Sequence, residues 1–194
     1  GKSHTINEQT EGESVIRTTF HPDSDYSTFV GAYKPTMGLL PICDELGQPM
    51  KIGSSVLHKE QIIYEFVDQA FLQAYVNAWK YYADNSEEIK KQYLIIEEIN
   101  RGNCAQIFGD LFQLLDRNDY GFSVYPINAD KDMKKHLEKA FKGVRIDNAD
   151  SINQHYKGRN VVKEVLDGDI LLLPNNLYIW ATMNTSDQSL FPID

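Results

Sequence analysis

At 194 residues, 42% hydrophobic and 24% charged, the chain has the composition of a globular protein long enough to bury a sizeable core. Its net charge of -9 argues against a broad nucleic-acid face on this segment, because phosphate contacts need clustered Lys and Arg. No apolar run approaches the ~20 residues that span a bilayer and no basic-apolar leader is present, so a cytoplasmic protein with no membrane partner is expected.

Cys43 and Cys104 form no CxxC unit, and the five histidines show no i, i+4 pairing, which disfavours a disulfide framework or a zinc site.

The chain begins Gly1-Lys2-Ser3-His4-Thr5-Ile6. A Gly-Lys-Ser before a helix matches the second half of a phosphate-binding loop, in which Lys reaches the β and γ phosphates and the hydroxyl ligates Mg²⁺. A bound anion would also offset the unfavourable Lys at a helix amino terminus. On that reading the first half of the loop and the strand before it are expected to be missing from this stretch.

Residues 14–20, SVIRTTF, are β-branched and predict a strand ended by His21-Pro22. Asp23, Ser24 and Asp25 can cap a short helix through Tyr26, Phe29, Val30 and Tyr33. Pro35, Gly38, Pro41, Gly47, Pro49 and Gly53 mark 34–59 as an inserted loop or hairpin, with Asp44, Glu45, Gly47 and Gln48 at its tip. Residues 61–67 fit its return strand. From Ala70 the spacing of Phe71, Leu72, Tyr75, Val76 and Trp79 predicts an amphipathic helix to about Tyr82, its aromatics serving as core.

The stretch 93–103, YLIIEEINRGN, is the centre of the chemistry. An apolar run this continuous suits a strand buried on both faces of a parallel sheet, and open α/β sheets bind ligands at the carboxyl ends of such strands. In a nucleotide hydrolase that end needs one carboxylate to hold Mg²⁺ and a second to polarise water, and Glu97 and Glu98 are the candidates. Taken alone, the same pattern also fits a strand that merely ends in two solvated acids.

Beyond it, residues 107–115 predict a strongly apolar helix closing near 116–118. A short strand is expected at 123–127, and a charged helix over 130–141 with Met133, Leu137 and Phe141 on one side. Residues 143–168 are polar and poorly patterned and read as a second insertion. A strand over 177–182 then runs into Met183-Asn184-Thr185-Ser186-Asp187. There an Asn amide can hold the lytic water or the γ-phosphate. Asn184 and Asp187 equally suit a turn and a helix cap.

Together the segments GKSHTI, TTFHPDSDYSTFVGAYKP, YEFVDQAFLQAYVNA, YLIIEEINRGNCAQIFGDLFQLLDR and WATMNTSDQSLFPID resemble the motor domain of McrB-type AAA+ proteins, the GTP-hydrolysing subunits of modified-cytosine-dependent restriction systems. The resemblance implies an α/β P-loop NTPase fold, a parallel sheet flanked by helices with inserted segments at about 34–60 and 142–168, occupying 1–194 as a partial domain without first strand or lid.

It implies that Gly1, Lys2 and Ser3 belong to Walker A, with Ser3 and Glu97 on Mg²⁺ and Glu98 activating water. Asn184 would be the sensor, supported by Asp187, and Arg101 would face the nucleotide or a neighbouring subunit. GTP, or ATP, would be the substrate. The partners implied are copies of the chain in a hexameric ring and an McrC-like nuclease subunit, with DNA contacted mainly by other domains.

Glu97 stands where many relatives have Asp, and without the missing loop and a neighbour's arginine this stretch alone is expected to hydrolyse almost nothing. Three other readings stay open at this level. One is an ATP-dependent AAA+ remodelling protein outside restriction, another a nuclease using Asp84 with Glu88-x-Lys90, and the third a binding scaffold that has lost its chemistry.

Overall fold

The computed structural model describes residues 2–84 and 87–184, with Lys2 and Ser3 described by backbone alone. Two compact units partition the chain, Ala32–Val67 and the remainder.

The larger unit opens with α1 (Lys2–Gln9), closed by a turn in which the Thr10 hydroxyl donates to Ile6 O at 2.8 Å. Strand β1 (Ser14–Thr19) follows, and His21-Pro22 ends it as the proline predicts. Asp25 caps the single-turn helix α2 (Tyr26–Phe29) through a reciprocal capping box with Thr28, and because the chain turns extended at Gly31 this helix is shorter than its apolar pattern suggests.

The smaller unit holds β2 (Gly31–Pro41), β3 (Lys51–Ile52), β4 (Ser55–Val56) and β5 (His58–Asp68). Strand β2 pairs with β5, and β3 with β4 as a small antiparallel hairpin. At the turn before β3, the Asp44 carboxylate accepts from the amides of Leu46 and Gln48, both at 2.9 Å. On β2 Tyr33, Met37 and Leu39 alternate outward, while Gly38 leaves room for Ile63 of β5.

Back in the larger unit, α3 (Ala70–Ala83) lies against the sheet and buries Phe71, Leu72, Ala74, Tyr75, Val76, Ala78 and Trp79. Strand β6 (Gln92–Glu97) is buried from Gln92 to Ile96, as a central strand covered on both faces must be. The following α4 (Cys104–Phe108) is capped by Asn103 and gives way at Gly109, φ 55°, to a 3₁₀ turn (Gly109–Leu115). The expected continuous helix is therefore broken, because that backbone angle favours glycine and cannot propagate an α-helix.

In place of the strand expected at 123–127 there is a bridge from Arg117 to Ser123 and then a two-residue β7 (Ile127–Asn128). Helix α5 (Lys131–Ala140) is capped by Asp130 and buries Met133 and Leu137. The poorly patterned segment folds into α6 (Ala149–Asn153) and α7 (Val161–Leu166), which bury Ile152, Val161, Val162 and Val165. Strand β8 (Ile170–Leu171) pairs with β7, and β9 (Leu177–Ala181) completes the main sheet.

The main sheet is parallel, in the order β1-β6-β9, with Thr19 opposite Glu97 and Ala181 opposite Ile96. The chain is thus an α/β protein with a three-stranded parallel sheet flanked by helices. Polar anchors fix it. Trp79 Nε1 donates to Leu172 O at 2.9 Å, and the Asn176 amide donates to Ala78 O at 2.9 Å and Lys90 O at 3.0 Å. The buried Ser123 hydroxyl donates to Leu114 O at 2.7 Å and accepts from Leu173 N at 2.9 Å, tying the 3₁₀ turn to the stretch leading into β9. Phe20, Phe29 and Phe108 pack edge-on or tilted beneath the carboxyl end of β1.

Candidate functional site

Parallel pairing brings the three carboxyl strand ends together, and with them three separate polar segments. Thr19 of β1 hands over to Phe20-His21, whose Phe20 amide donates to Glu97 O at 3.0 Å. Glu97 ends β6. Past β9, Thr182 N donates to Ile96 O at 2.9 Å and so carries the parallel ladder one residue further.

Glu98 leaves the strand in the left-handed region, φ 53° and ψ 46°, which residues other than glycine rarely adopt. Neighbouring hydrogen bonds hold it there. Its amide donates to the Thr182 hydroxyl at 3.1 Å, and the next amide, Ile99 N, donates to Thr182 O at 2.9 Å. One residue on, the buried Asn100 donates through Nδ2 to Asn184 O at 3.0 Å. Three successive residues of the turn, Glu98, Ile99 and Asn100, therefore bond the 182–184 segment, the first two through Thr182 and the third through Asn184.

Each acid has its own guanidinium. Arg101 Nη1 lies 2.9 Å from Glu98 Oε2, and Arg17 Nη1 on β1 lies 2.9 Å from Glu97 Oε1. Adjacent carboxylates repel, and two cations on separate elements offset that cost. All four side chains are about one-third exposed, so these pairs shape the site more than they stabilise the fold.

The turn is also tightly packed. A Cβ on Gly102 would come within 2.5 Å of Ile107 Cδ1 and 3.2 Å of His21 O, so the backbone after Glu98 presses directly on the Phe20-His21 turn. Beside it a cleft of about 340 Å³ is lined by Thr18, Thr19, Phe20, His21, Asp23, Ser24, Thr28 and Phe29. A larger open depression of about 670 Å³, formed by Lys80, Ala83, Asp84 and the 143–147 turn, includes none of the strand-end residues. Hydrogen bonds from Ser27 and Thr28 lower the Asp25 carboxyl below its ordinary range, and burial raises the Cys104 thiol.

Of the residues singled out in the sequence, Glu97, Glu98, Arg101 and Asn184 meet at the ends of β6 and β9. Lys2 and Ser3 fall in the first turn of α1, while Gly1 and Asp187 lie outside the described residues. Arg17, Asn100 and Thr182 were not singled out. In the sequence Arg17 and Thr182 read as ordinary strand residues, and Asn100 as part of a turn.

Among the described residues no cluster of three or more His, Cys, Asp or Glu side chains forms a metal cage. Glu97 and Glu98 at the end of β6 are carboxylates of the kind that would hold Mg²⁺ in ones or twos together with substrate phosphates.

No protein-family model matches the chain. It is 36% identical over 184 residues, 92% of its length, to the type II restriction enzyme BsuMI component YdiS of Bacillus subtilis (strain 168), and covers 44% of that protein. It is 23% identical over 185 residues, 94% of its length, to the type IV methyl-directed restriction enzyme EcoKMcrB subunit of Escherichia coli (strain K12), of which it covers 26%. The chain spans less than half the length of either relative, and both relatives are restriction-system proteins.

Proposed function

We propose that this chain is the nucleotide-hydrolysing motor part of a DNA restriction complex, an AAA+ P-loop NTPase of the McrB type that uses GTP. The observation that carries the reading is the junction of Glu98 with Thr182, which sets a carboxylate and the Met183-Asn184 segment side by side at the carboxyl ends of parallel strands. Ligands of open α/β sheets bind at such ends. The names of the relatives, a restriction-enzyme component and a restriction-enzyme subunit, support work within a multi-protein restriction system.

In this reading Gly1, Lys2 and Ser3 close the phosphate loop, with the Lys2 ammonium on the β and γ phosphates. Ser3 and Glu97 would hold Mg²⁺, which when bound neutralises charge on the phosphate oxygens. Glu98 would accept a proton from the water that attacks the γ-phosphorus, as the bond from that phosphorus to the β-γ bridging oxygen breaks and the nucleoside diphosphate leaves, while the Asn184 amide would orient that water. Asp187 supports Asn184. Arg101, paired with Glu98 in this structure, either faces the nucleotide or crosses to a neighbouring copy in a ring, taken as a hexamer, that drives an McrC-like nuclease subunit.

Turnover of GTP and of ATP by the intact protein, with and without a nuclease subunit from the same system, tests the reading. GTP hydrolysis stimulated by that subunit is the expected result. Turnover of ATP alone, indifferent to it, would favour a remodelling protein outside restriction.

A further inference from the structure

Glu97 ends β6 with a side chain one methylene longer than that of aspartate, and the structure gives that length a use. In the parallel register Arg17 lies opposite Ile95 and Thr19 opposite Glu97, so Arg17 and Glu97 share one face of the sheet two positions apart. With strands about 4.8 Å apart and a rise of about 3.3 Å per residue, such diagonal neighbours are about 8 Å apart at the backbone, a gap that a long acid and a long base can close. They close it, with Arg17 Nη1 2.9 Å from Glu97 Oε1. Arg17 Nη2 meanwhile donates to Asn7 Oδ1 on α1, the helix whose first turn holds Lys2 and Ser3. A planar guanidinium can serve both partners at once, which a lysine ammonium on a flexible stem does less well.

We propose that Arg17 is a positioning residue that ties the phosphate-loop helix to the strand-end acid, fixing Glu97 Oε1 and presenting Oε2 to the cation of a metal-nucleotide complex. The proposal rests on the NTPase reading above. It makes Glu97 and Arg17 a matched pair, one member of which loses its purpose when the other is changed.

Mn²⁺ as a probe, titrated by electron paramagnetic resonance into the intact protein with GDP, provides a readout independent of turnover. Arg17→Met is expected to weaken Mn²⁺ binding about tenfold, in the range typical of removing a group that orients a metal-ligating carboxylate. GDP affinity measured without metal should be unchanged, and Arg17→Lys, which also guards against a misfolded variant, should fall between. In a Glu97→Asp background the shorter acid cannot reach Arg17, so Arg17→Met should have no further effect. Unchanged or tighter Mn²⁺ binding in Arg17→Met overturns the proposal, as does an equal loss in both backgrounds. If Glu97→Ala leaves Mn²⁺ binding intact, the NTPase reading of Glu97 itself is wrong; if Glu97→Ala abolishes it while Arg17→Met does nothing, only the role of Arg17 falls.

Discussion

The amide of Glu98 donates to the hydroxyl of Thr182 across 3.1 Å, joining residues 84 positions apart at the ends of neighbouring parallel strands. This bond helps hold Glu98 in its left-handed conformation. Thr182→Val keeps the shape and removes the acceptor, and is expected to cost about 1 kcal/mol. Thermal melts should register it, and turnover of the intact protein should fall while nucleotide affinity stays constant, because the change reorients the carboxylate without touching the phosphate loop.

Gly102 offers a test of how closely the post-strand turn is fitted to its neighbours. Gly102→Ala places a Cβ against Ile107 Cδ1 and His21 O and should destabilise the protein by about 1–3 kcal/mol in urea unfolding. Ile107→Val removes the nearer obstacle, so the double variant should be more stable than the sum of the single effects.

Stability should also depend on His136. Burial, aided by Lys139, lowers its pKa from 6.5, against the opposing pull of Asp68 4.0 Å away. The folded state therefore favours the neutral ring. Its contribution is fully present above the unfolded pKa and is lost as pH falls through that value towards the lower folded one. Melting temperature should drop as the pH falls through 6.5, the ordinary histidine value, and His136→Gln should reduce that drop.

Much of the sheet was legible because its signals are local. The apolar run of β6 is continuous, His21-Pro22 ends β1, and the carboxylate of Asp25 announces a helix cap. The 143–168 segment was not legible, since Ile152 and Val161, Val162 and Val165 sit on helices of five and six residues, too short to show a period. In the site, the position of Glu97 and Glu98 at a strand end could be read from the chain. Arg17 and Thr182 could not, since their partners lie 80 and 84 residues away and only the parallel register brings them together.

The central claim is that Glu98 is the water-activating base of a nucleotide hydrolase. The most direct measurement compares GTP turnover and GTP binding in the intact protein and in Glu98→Gln, which preserves size and removes the basic oxygen. Turnover lower by about 100-fold or more with binding retained is the result predicted. Equal turnover in the two proteins would contradict it.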